Sequence, residues 1–87
     1  MDKETLFYEQ EKDKAQEQSQ IAEYHLNKAR EYLNKTVENG NTVNINRANM
    51  ILTNAEYNFL EVHELFKKAI LNYRKQLEKE EMELNNW

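Results

Sequence analysis

The second half of the chain places apolar or small residues at alternating steps of three and four: Ile45, Ala48, Leu52, Ala55, Phe59, Val62, Phe66, Ala69 and Tyr73. That spacing keeps one stripe of an α-helix facing one way and is the seam of a coiled coil, here sustained for about four heptads. The first half carries a weaker stripe of the same spacing, Tyr8, Lys12, Ala15, Ser19, Ala22, Leu26, Ala29, Leu33 and Thr36. Between the stripes, Glu38-Asn39-Gly40-Asn41-Thr42 holds the turn signals. Gly40 is suited to the left-handed conformation that closes a helix, and Asn41 or Thr42 to capping the next one. The pattern predicts helix one over about residues 3–37, a turn over about 38–42 and helix two over about 43–84, in one domain. Against this, β-branched Thr36, Val37, Thr42, Val43 and Ile45 favour extended backbone and argue for a longer connection.

Folding the chain back at Asn39–Gly40 gives the weaker stripe its meaning. Pairing Leu33 with Ala48 sets Ala29 opposite Leu52, Leu26 opposite Ala55, Ala22 opposite Phe59, Ser19 opposite Val62, Ala15 opposite Phe66 and Lys12 opposite Ala69. Nearly every layer joins a large residue to a small one, which lets two helices approach closely without cavities. The expected fold is all-α, an antiparallel two-helix hairpin with an Ala-rich, coiled-coil-like seam. Near the C-terminus the apolar positions Ile70, Leu77, Leu84 and Trp87 form a shifted stripe, which Leu6 and Phe7 could partly cover. Beyond about Lys79 no partner remains within the hairpin, so Met82, Leu84 and Trp87 overhang.

Composition agrees with long helices. There is no proline and one glycine, and the hydrophobic share of 39% beside 32% charged residues suits a narrow seam better than a closed globule. The absence of cysteine removes disulfides and thiolate metal sites. No apolar run approaches the ~20 residues that span a bilayer, and Met1-Asp2-Lys3-Glu4-Thr5 does not read as a signal peptide. The expectation is a soluble, cytoplasmic protein. Abundant Asn, Lys, Glu, Ile and Tyr suit a bacterial or phage source of AT-rich coding.

Candidate chemistry is sparse. His25 and His63 fall on opposite flanks, and neither has a glutamate three residues before it, so the di-iron pattern of helical bundles is missing. The carboxylates sit at helix-surface spacings, with Glu64 and Lys68 as a supporting pair and Glu78, Glu80, Glu81 and Glu83 as a solvated run. Ser19 is the lone serine and lies in the seam; a single glycine supplies no phosphate-binding loop. No catalytic residue, metal, cofactor or small-molecule substrate is expected. Lys28, Lys35 and Arg47 near the turn, and Lys67, Lys68, Arg74 and Lys75 on helix two, are interleaved with glutamates, which argues against nucleic acid as the ligand. Polar faces without an excess of cations argue against a membrane surface.

One flank of the predicted hairpin carries Gln18, His25 and Tyr32 from helix one and Ile51, Asn58 and Leu65 from helix two, with Ile21 close by. Met50, Tyr57, Leu60 and Leu71 extend the apolar surface of helix two. The opposite flank, with Glu23, Arg30, Asn49 and Glu56, is polar. Two helices alone are marginal and cannot bury this surplus, which predicts homodimerisation into a four-helix bundle or docking of a protein partner. Large apolar and aromatic residues dominate such contacts, so the candidate contact residues are Tyr32, Ile51, Tyr57, Leu65, Ile21 and Trp87.

The turn holds Asn39-Gly40, and Tyr57-Asn58-Phe59-Leu60-Glu61 has the letters of a Tyr-x-x-x-Glu signal. In size and hairpin outline the chain is similar to the WXG100 family of secreted bacterial helical hairpins. That family has Trp-x-Gly in its turn, where this chain has no tryptophan, and its export signal lies near the C-terminus rather than mid-helix. The resemblance covers architecture and implies a secreted hairpin as one alternative. The residues themselves point to a non-enzymatic protein-interaction module, a small regulator, inhibitor or adaptor, with a nucleic-acid-binding hairpin dimer as the other alternative.

Overall fold

Two antiparallel helices, α1 (Lys3–Asn39) and α2 (Thr42–Asn85), make up nearly all of residues 2–85, which the computed structural model describes. At 1.5 Å per residue the 44 residues of α2 span about 66 Å. The molecule measures 70 × 14 × 14 Å, so α2 runs almost straight along its whole length. The radius of gyration is 19.7 Å, where a compact chain of this length would have about 12 Å. The predicted helical hairpin is observed; its elongation means that neither helix is covered on its outer side.

Local chemistry sets the ends. Asp2 Oδ1 accepts the Thr5 backbone N–H at 2.8 Å and caps α1. That bond holds the Asp2 carboxyl below its ordinary value, so the cap is fully charged at neutral pH. Gly40 closes α1 at φ 71°, its N–H donating to the carbonyls of Thr36 (3.2 Å) and Val37 (3.1 Å). Asn41 Oδ1 accepts the Asn44 N–H at 3.1 Å and opens α2. The connection is therefore only Gly40-Asn41, shorter than the sequence suggests. Of the β-branched residues beside it, the seam holds Thr36 and Ile45: Thr36 is buried, with its hydroxyl donating to the Tyr32 carbonyl at 2.7 Å, and Ile45 is half-buried, while Val37, Thr42 and Val43 are helical but exposed. A Cβ on Gly40 would meet nothing within 4 Å, so Gly40→Ala should cost only the backbone strain, about 1 kcal/mol. Gly40→Asn should cost less; the midpoint of urea unfolding measures both.

Both predicted stripes face inward and form the seam. Every residue of both predicted stripes is buried or half-buried. Within the layers the small partner tends to be the deeper one: Ala22, Ala29 and Ala48 are buried, while Phe59, Leu52 and Leu33 are half-buried. The large side chains keep one edge in water because two helices enclose a layer on one side only. Leu26 alone among the large apolar residues is fully within the core.

Two expectations are corrected at the open end. The seam does not shift phase after Tyr73. It continues in the same spacing through Gln76 (buried) and Glu80 (half-buried), while Leu77 and Leu84 are exposed. Leu6 and Phe7 are about half exposed, and Phe7 lines a shallow groove with Gln76 and Lys79 rather than with Leu77 or Leu84. Nor does pairing stop at Lys79: the Thr5 hydroxyl donates to Glu80 Oε2 at 2.7 Å. The physical reason is Thr5, which is wholly buried and draws polar side chains rather than Leu77 into the last layers. Gln76 Nε2 donates to Thr5 Oγ1 and to Glu4 Oε2, each at 3.5 Å.

Candidate interaction surface

Part of the predicted apolar flank lines a groove toward the open end, formed by Tyr8, Glu11, Lys14, Ala15 and Gln18 from α1 and Leu65, Ala69 and Asn72 from α2. Stepping seven residues at a time along each helix leads from Gln18 to His25 and Tyr32, and from Leu65 to Asn58 and Ile51. Tyr32, Ile51 and Leu65 are 42%, 44% and 53% exposed, and Ile21 is half exposed at 50%. At the far end of this flank Lys79 Nζ lies 4.0 Å from Glu4 Oε2, so the charges that border the groove are of opposite sign.

The other predicted contact residues are placed differently. Tyr57 lies on the outer face of α2, away from this groove, and is 70% exposed. Trp87 lies outside the described residues. Leu60, which extends the apolar surface of helix two, lines the opposite groove with Leu26, Arg30, Glu56 and Phe59. Its position one turn after Glu56 carries it there.

The histidines do not meet. His63 is half-buried, stacked on Phe59 with ring centroids 5.5 Å apart and edge-on to Phe66 at 6.5 Å. It serves as a planar cover on seam aromatics. His25 is exposed and edge-on to Tyr24 at 5.6 Å. Among the described residues, no three His, Asp or Glu side chains converge as metal ligands, and no helix is long and apolar enough to cross a membrane. The ion pairs among the described residues include Lys28–Glu31 and Lys67–Glu64, both exposed and one turn apart, and worth little individually.

The buried polar cluster of Thr5, Gln76 and Glu80 was not expected from the apolar pattern. Its signal is nonetheless present, because Thr5 and Gln76 extend the three-four spacing of both stripes by one step. Every buried side-chain nitrogen and oxygen among the described residues is hydrogen-bonded, so the cluster is a satisfied core layer. No protein-family model matches the chain, and no curated protein and no solved structure matches it significantly.

Proposed function

We propose that the chain is a non-enzymatic protein-interaction module, a small regulator, inhibitor or adaptor, that works as a homodimer. In this reading two hairpins join along the flank of Gln18, His25, Tyr32, Ile51, Asn58 and Leu65 and complete a four-helix bundle. The observation that carries it is an imbalance. Four apolar residues are buried in the hairpin, whereas sixteen large hydrophobic residues among those described remain exposed.

Area supports the same reading. The hairpin exposes 6975 Å². A compact monomer of 10.5 kDa would expose about 5,400 Å². The excess of about 1,500 Å² per chain is more than the ~800 Å² that each partner buries in a standard interface. Charge supports the choice of flank. A two-fold contact sets a surface against its own copy, so a charged flank would repel itself. These six side chains include no carboxylate, lysine or arginine, and the groove that continues from them toward the open end carries both signs, Glu11 and Lys14, so the flank does not set a single charge against its copy.

Replacing Ile51 and Leu65 together by lysine should convert the dimer to a monomer of 10.5 kDa, read by light scattering, with the helical circular-dichroism signal retained. Gln18→Leu, which adds apolar area at the middle of the flank, should hold the dimer together at lower concentration. A doubly substituted chain that keeps the mass of the wild type would exclude this flank as the interface.

A further inference from the structure

From Leu65 to Leu77 the sequence contains no acid and four cations, Lys67, Lys68, Arg74 and Lys75, although the whole chain carries a net charge of −4. The interleaving with glutamates expected for these four cations is thus corrected: the acids stand only at the two ends of the stretch, Glu64 and Glu78. On the helix the four cations stand three or four residues before and after Leu71. Residues at those spacings are neighbours, with Cβ atoms about 5–6 Å apart. Leu71 is 51% exposed, and all four cations are exposed around it. It projects from the outer side of α2, opposite the seam, with Ile70 half-buried at its edge and a shallow dip between Lys67 and Arg74. Lys68, Arg74 and Lys75 take part in none of the ion pairs among the described residues; Lys67 meets Glu64 at 3.3 Å.

We propose that this face docks an acidic protein segment that sets an apolar side chain on Leu71 and carboxylates against Lys67, Lys68, Arg74 and Lys75. It rests on the interaction-module reading and names that partner's chemistry, but it uses a face separate from the dimer flank. An apolar centre inside a polar rim is the anatomy of a protein–protein contact. The cluster spans about 12 Å along the helix, too short to track a nucleic-acid backbone, and it lacks the exposed aromatics on which unpaired bases stack. Its apolar centre is a single leucine ringed by charge, whereas a bilayer surface takes a broad apolar face. The cations complement the partner's charge and steer its approach.

The test uses a short fluorescein-labelled peptide with glutamates three and four residues to either side of one leucine, titrated with the full chain and followed by anisotropy. Saturable binding that weakens as salt is raised is expected. Lys68→Glu with Arg74→Glu should weaken it by about tenfold or more, and so should Leu71→Ser, with helicity and mass unchanged. Absence of saturable binding, equal affinity for the substituted chains, or tighter binding of single-stranded poly-uridylate or phosphatidylserine vesicles would overturn the proposal. Mass measured on the same samples separates the two readings. A monomer that still binds the peptide removes the dimer alone, and a dimer that ignores it removes this face alone.

Discussion

Exchanging Ala22 and Phe59 across their layer should leave the protein far more stable than either single change does. Ala22 is 2% exposed, so Ala22→Phe forces a ring into a filled position and should cost about 2 kcal/mol. Phe59→Ala removes a half-buried ring and should cost about 2 kcal/mol as well, less than a fully buried phenylalanine because one edge already meets water. In the double variant the ring returns from the other helix to the same layer, with the same total volume. Most of both losses should then be recovered, as a coupling of more than about 1 kcal/mol. Urea unfolding of the four proteins measures it. Strict additivity would mean that the two residues do not face each other. A slip of one heptad would separate them by about 10 Å along the axis, beyond coupling distance.

Thr5→Val should be the most damaging change at the open end. The side chain keeps its shape but loses the hydroxyl that donates to Glu80 at 2.7 Å and accepts from Gln76 at 3.5 Å. Thr5 is wholly buried and Gln76 is 8% exposed, so the amide left behind keeps only its 3.5 Å bond to Glu4. The lost bonds should cost about 1 kcal/mol or more. Thr5→Val combined with Gln76→Leu replaces both polar partners by apolar ones and should restore most of the loss. Hydrogen exchange localises the effect: the single variant should lose protection in the first turns of α1 and the last turns of α2 and keep it near Leu26. Equal loss at both ends of the hairpin would mean that the cluster is not a local lock.

Those two regions also mark how far the amino-acid sequence can be read. The middle of the hairpin was legible because the three-four spacing is unbroken there: every residue from Ser19 to Thr36 and from Ile45 to Val62 on the two stripes is buried or half-buried. The turn was legible because Gly40 is the lone glycine and asparagines stand on both sides of it. The open end was not, because apolar pattern ranks Leu77 above Gln76, while a buried threonine reverses that order through hydrogen bonding. The flank of Tyr32, Ile51 and Leu65 follows directly from the register. What seats on it does not, since two helices present the same groove to a second copy as to any other apolar surface.

Sedimentation equilibrium of the unmodified chain, over a wide range of concentration, addresses that question most directly. The account predicts twice the 10.5 kDa chain mass, persisting to low micromolar concentration, because the area left exposed exceeds what a standard interface needs. A stable, fully helical monomer at every concentration would contradict it and show that the hairpin stands without its flank being covered.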